Sequence, residues 1–187
     1  NLTVTASLMD MDPSSLACSN LSLLGSALSL NRGATSGPAF SCNGDVLLNN
    51  ATMNHYFPLV NPAAMVVRGG LLVTNTSSLT VYASVTNGTG PDYGGLVQVD
   101  GDVTLCTNGW IYPISDPTNG GSVLLRVGNL TAATLNSGIY ASGRGFQLPL
   151  VNNADGSGQG RGKGGWNSPA AGHGGRGGKY RSPYGQI

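Results

Sequence analysis

Glutamate is missing altogether from these 187 residues, and only 9% of them are charged. Long solvent-facing helices draw on Glu, Lys and Ala, so this usage excludes a mainly helical protein. The eight acids are all Asp, and against nine Lys and Arg they leave a net charge of +1. That offers no overall field to attract nucleic acid or an anionic membrane, and no nucleic-acid partner is expected. Nowhere is there a run of the roughly 18 apolar residues that a spanning helix needs. The richest stretch, Phe57 to Val67, is broken by Pro58, Asn61 and Pro62, so no membrane span is expected. The chain opens at Asn1 with neither an initiator Met nor a basic-then-apolar leader. An exported, processed protein or an excised fragment is the expectation.

What the sequence has in excess is Gly, with Asn in support; Gly alone numbers 30. The glycines keep a period: Gly44, Gly69 with Gly70, Gly94 with Gly95, Gly120 with Gly121, and Gly145 fall at a near-constant interval. Four of these marks precede short apolar runs, Val46 to Leu48, Leu71 to Val73, Leu96 to Val99 and Val123 to Val127. Midway to the next mark comes a second small stretch: Ala51 to Met53, Leu79 to Ala83, Val103 to Cys106 and Leu130 to Ala133. Leu21 to Leu24 and Ala27 to Leu30 extend the pattern one period backward. Short β-branched runs bounded by Gly, Asn and Asp read as strands, and a fixed period in this range marks one unit built repeatedly and stacked. The expected fold is all-β, a parallel β-helix (solenoid) with rungs of about 25 residues and a Gly-rich C-terminal segment. The alternative is an antiparallel β-sandwich with regular turns.

Three regions follow. Residues 1–12 form an N-terminal strand, with Leu2, Val4, Ala6 and Leu8 on one face, ended by Asp12-Pro13. It either pairs with its own body or is exchanged with a neighbour. Residues 13–143 form the β-helix body. Residues 144–187 form a Gly-rich tail holding six of the nine basic side chains; it lacks the apolar side chains for a core of its own.

The passages Gly120 to Thr131, Gly138 to Gly145, Gly172 to Gly178 and Pro183 to Gly185 resemble glycine-rich β-solenoid segments of large secreted and surface structural proteins, over residues 118–187. The resemblance implies an extracellular structural or adhesive role and no particular reaction.

Six Asn-x-Ser/Thr triplets begin at Asn1, Asn20, Asn50, Asn75, Asn87 and Asn129, where roughly three would arise by chance. N-linked glycans at these positions are expected, projecting from turns. Cys18 and Cys42 are separated by nearly one period. On a coil they would lie in adjacent rungs at a spacing a disulfide spans, which fits an oxidising compartment. Cys106 is then a core residue or an intermolecular link.

Other constellations carry little chemistry. Asp10 and Asp12 share a face at a separation of about 7 Å, within the general range of inverting glycosidases, yet acids before a proline ordinarily make a turn. Asp100-Gly101-Asp102 lacks the further acids that Ca²⁺ needs and reads as a hairpin or rung corner. His55 and His173 are the only histidines, too few for a zinc cluster. Gly160 to Gly165 satisfies a dinucleotide spacing without the strand and helix that give it meaning. Arg161, Lys163, Arg176, Lys179 and Arg181 with Trp166, Tyr180 and Tyr184 resemble an RNA-binding segment superficially; acidic glycans or a neighbouring subunit suit them better. No catalytic residue, metal site or cofactor is expected. The leading expectation is an extracellular or cell-surface structural protein, a homopolymer of a glycosylated filament or surface layer joined end to end or by strand addition. An adhesin or carbohydrate-binding module comes second, a polysaccharide hydrolase or lyase third.

Overall fold

The computed structural model describes residues 1–11, 16–32, 40–58, 64–88, 90–116, 121–142 and 144. Asp12, His173 and the basic and aromatic residues of the tail beyond Arg144 lie outside the described residues. Among the described residues there are fifteen strands and no helix: β1 (Leu2–Thr5), β2 (Leu8–Met11), β3 (Leu16–Cys18), β4 (Leu21–Leu24), β5 (Ala27–Leu30), β6 (Phe40–Cys42), β7 (Val46–Asn49), β8 (Thr52–Tyr56), β9 (Met65–Val67), β10 (Leu71–Thr74), β11 (Ser78–Tyr82), β12 (Gly95–Leu105), β13 (Trp110–Ile114), β14 (Val123–Ala132) and β15 (Gly138–Ile139). Every pairing between them is parallel. The antiparallel alternative therefore does not describe this chain.

One sheet has six strands in the order β15-β13-β11-β8-β5-β2. The other has nine, in two arms, β1-β4-β7-β10 and β3-β6-β9, that meet at β12. The first half of β12 pairs with β9 and the second half with β10; β14 pairs along both halves, across a bulge between Val99 and Asp102. Asp100-Gly101-Asp102 thus lies within a bulged strand instead of forming a hairpin.

The register follows the inward side chains. Leu21, Val46, Leu71 and Val103 stand in one column, and Leu23, Leu48, Val73 and Leu105 in the next. Phe40, Met65 and Val97 form a third; Leu28, Met53, Leu79 and Ile111 a fourth. All are buried. Fully burying one such side chain contributes about 1.5–3 kcal/mol, and a one-residue slip of any strand would turn its whole inward set to the outside.

The glycine period holds at first and then slips. Val46 follows Leu21 by the same interval at which Leu71 follows Val46, but Val103 follows Leu71 by a longer one. The extra residues make an excursion after β11, closed by Ser84 N–H donating to Gly94 O at 2.8 Å and Asn87 N–H to Tyr93 O at 2.9 Å. Consequently Val97 to Val99 matches Met65 to Val67, not Leu71 to Val73, and Val103 to Leu105 takes the place expected for the run that begins at Leu96. Gly94 is needed at the closure, because a Cβ there would sit 2.0 Å from Ser84 O and 2.7 Å from Gly121 Cα.

The corners between the first and second strand of each repeat share one device. Ala6, Gly25, Asn50, Asn75 and Thr107 all have positive φ, between 48° and 57°, the left-handed region that Gly and Asn enter most cheaply. A hydroxyl often follows. Ser26 Oγ donates to Val4 O and Leu24 O at 2.8 and 2.7 Å, and Ser137 Oγ to Leu105 O at 2.9 Å. Ser77 Oγ accepts from Ala51 N–H at 3.0 Å and donates to Thr74 O. These bonds satisfy backbone groups that the corner frees from the ladder. The alternation of residues 1–12 is interrupted by such a corner: β1 and β2 belong to different sheets, and Leu8 is 83% exposed. β1 pairs with β4 of its own chain.

His55 occupies an inward column between Leu30 and Val81. Its ring lies edge-on to Phe57 at 4.7 Å and to Phe40 at 6.4 Å, and neither nitrogen has a hydrogen-bond partner among the described residues. Burial pushes its pKa from 6.5 down to about 4. The unfolded chain binds a proton near pH 6.5 and the folded chain resists until about pH 4. This group's stabilising share is therefore complete above pH 6.5, falls as pH drops through that window, and is gone below it, a change of about 3 kcal/mol. Urea denaturation at pH 7 and pH 4.5 is expected to show that loss, and His55→Leu is expected to flatten it. An equally steep pH dependence in the variant would contradict this role.

Candidate functional site

The outward face of β1, β4, β7, β10 and β12 carries a groove of about 730 Å³. Its floor is a single register column, Thr3, Ser22, Leu47, Leu72 and Thr104. Along one rim runs a polar ladder. Asn20 Nδ2 donates to Asn1 Oδ1, Asp45 N–H to Asn20 Oδ1, and Gly70 N–H to Asp45 Oδ1, each at 2.8 Å. Further along, Asn129 Nδ2 donates to Asp102 Oδ1 at 2.7 Å. The strand starts need this, because the chain turns there and its amides leave the sheet. The result is an elongated trough with oxygen acceptors beside two leucine faces.

The sequon asparagines gather on the two margins of this face. Asn1, Asn20 and Asn129 lie on the rim, and Asn50 and Asn75 at the left-handed corners opposite; all five are exposed. Asn87 is half-buried in the excursion, its Oδ1 accepting from Tyr93 N–H at 3.2 Å.

The outward face of the six-stranded sheet carries the aromatics. Tyr56 and Tyr82 are register partners and stack at 4.1 Å, 5° from parallel; burial and the partner phenol raise the Tyr56 pKa. Tyr140 meets Trp110 and Tyr112 edge-on at 6.2 and 6.1 Å. The Arg144 guanidinium lies 4.3 Å from the Tyr112 ring centre, a cation–π contact. None of these contacts was singled out from sequence. Tyr56 and Tyr82 are one period apart, which is the signal that would have found them.

Chemistry-bearing residues stay dispersed. Asp10 sits exposed on β2. Asp100 pairs with Arg68 at 2.9 Å and accepts from Gln98 Nε2 at 2.7 Å; Gln98 and then Arg68 hold its pKa below the usual range. Among the described residues, no three His, Cys, Asp or Glu side chains group as metal ligands would. Compared with known proteins, the chain matches no family model, no curated protein and no solved structure. Its function is therefore read from its own geometry.

Cys18 and Cys42 are register partners on β3 and β6, present as thiols. Parallel neighbours stand about 4.8 Å apart, inside the Cα range a disulfide spans. Burial, then the Cys42 thiol, raise the Cys18 pKa to about 11, so the Cys18 thiol is a poor nucleophile near neutral pH. Peptide mapping after oxidative refolding is expected to find a Cys18–Cys42 bridge whose reduction costs about 3 kcal/mol of stability. A bridge through Cys106 instead would contradict the register.

Proposed function

We propose that this chain is an extracellular structural protein, a parallel β-helix whose copies join end to end into a glycosylated filament or surface layer. The observation that carries this reading is the pair of unfinished ends. At one end β1, β2 and β3 each have a pairing partner on one side only among the described residues, and at the other so do β14 and β15. Such edges are templates for another strand. Exposed apolar side chains accompany them: Leu8 at 83% on the first end, Leu130 at 48% and Ile139 at 39% on the second. Two different surfaces at opposite ends make a heterologous contact, which propagates unless it closes into a ring. Because β1 is already paired within its own chain, addition at the ends suits this protein better than exchange of the first strand. Glycans on the exposed sequon asparagines would flank the long face and leave the ends clear, and the Cys18–Cys42 bridge would fasten the first repeat. Both belong to an oxidising, extracellular setting. Negative-stain microscopy of concentrated protein is expected to show rods or fibres that lengthen with concentration; dispersed monomers throughout would refute assembly.

The groove favours a second reading, a module that binds a linear neutral glycan. Leu47 and Leu72 offer apolar faces, and the rim asparagines and aspartates offer acceptors for hydroxyls. In that case Leu72→Asp is expected to abolish retention on a glycan array without changing the melting temperature. Retention equal to the parent protein would remove the groove from consideration.

A further inference from the structure

The end-to-end reading leaves open how two copies meet, and the columns answer it. Extending each by one step beyond β14 and β15 lands on a matching residue of β1, β2 or β3. The column Leu2, Leu21, Val46, Leu71, Val103, Leu130 would continue from Leu130 to Leu2 of a second copy. By the same extension Leu125 meets Leu16, Val127 meets Cys18 and Ile139 meets Met9. Each of these pairings across the junction is apolar. The receiving end has room for it: Val103, Leu125, Leu130 and Ile139 line a cavity of about 130 Å³, which the incoming Leu2 and Met9 would close.

Charge agrees with the same alignment. On the outward face the column Asp10, Ser29, Asn54, Thr80, Tyr112 leads to Tyr140, which lies one residue past the Ile111–Ile139 pair, edge-on to Tyr112 and with its N–H donating to Ile111 O at 2.9 Å, so Asp10 of the second copy would stand against Tyr140. Beside that position the Arg144 guanidinium lies 5.8 Å from the Tyr140 ring centre, and its buried Nε has no hydrogen-bond partner among the described residues. An incoming carboxylate at this position would face the guanidinium as an ion-pair partner.

We infer that copies of this chain join head to tail in continuous register, β14 and β15 of one pairing in parallel with β1, β2 and β3 of the next, with Asp10 delivered to Arg144. This rests on the end-to-end reading above. The test is cysteine cross-linking of the full chain carrying Asp10→Cys and Tyr140→Cys, set beside Leu8→Cys with Tyr140→Cys, which is two residues out of register. Mild oxidation followed by peptide mapping separates new bridges from those of the native cysteines, and light scattering on the same samples and on the parent protein reports assembly. The inference expects a ladder of covalent oligomers from the 10/140 pair, bridged at those positions, and at least tenfold less from the 8/140 pair. Assembly with bridging at 8/140, or at neither, would overturn the register and leave the filament reading standing. Absence of assembly in the parent protein would overturn both.

Discussion

Away from the two ends, each inward side chain of this protein stands against one on the strand before it and another on the strand after it, nearly all of them apolar, and the rest of the structure depends on that superposition. Parallel strands about 4.8 Å apart bring identical register positions into van der Waals contact. A column of Leu, Val and Met therefore packs without large gaps, whereas a misplaced strand would bury its Ser, Thr and Asn and expose its Leu. The penalty is collective, because several columns share every strand. This lets a chain with few charges and modest aromatic content hold a single arrangement.

The corners and the outer faces follow from the same constraint. To keep its inward residues in column the chain must turn at the same point in every repeat, so left-handed residues recur at Ala6, Gly25, Asn50, Asn75 and Thr107. The hydroxyls and amides that recur nearby hold the backbone groups released by those turns. Outward positions stack as well. Tyr56 lies on Tyr82, and Asn20 lies between Asn1 and Asp45. His55 is tolerated in the core because its flat ring fits between Phe40 and Phe57, at the cost of leaving its nitrogens without partners. The end-to-end growth proposed above would be the same rule carried past the last strand.

Much of this was legible in the sequence, for physical reasons that also explain the failures. Val46 and Leu71 could be aligned because inward positions must repeat in kind and Gly or Asn must occupy the turns. The phase was lost after Val81 because an excursion that closes on its own hydrogen bonds leaves the columns undisturbed, and nothing in composition separates Gly94 from Gly101. Gly101, not Gly94, stands against Gly69, its N–H donating to Gly69 O at 3.1 Å. The break at Ala6 was hidden because alanine is a rare occupant of a left-handed corner, and Leu2, Val4, Ala6 and Leu8 alternate as one strand would. That Cys18 and Cys42 stand at the same register position of neighbouring strands was readable as a spacing of nearly one period. The groove was not, since its floor is drawn from five strands and mixes Thr and Ser with Leu.

The most direct measurement is the distance between spin labels attached at Thr3 and Thr104, both on the groove floor, in protein whose native cysteines are replaced. Four parallel steps separate them, so a narrow distribution centred at about 20 Å is predicted, with Leu47 in place of Thr104 bringing the labels to about half that separation. A broad distribution, or one in which Leu47 lies as far from Thr3 as Thr104 does, would contradict the superposition of strands.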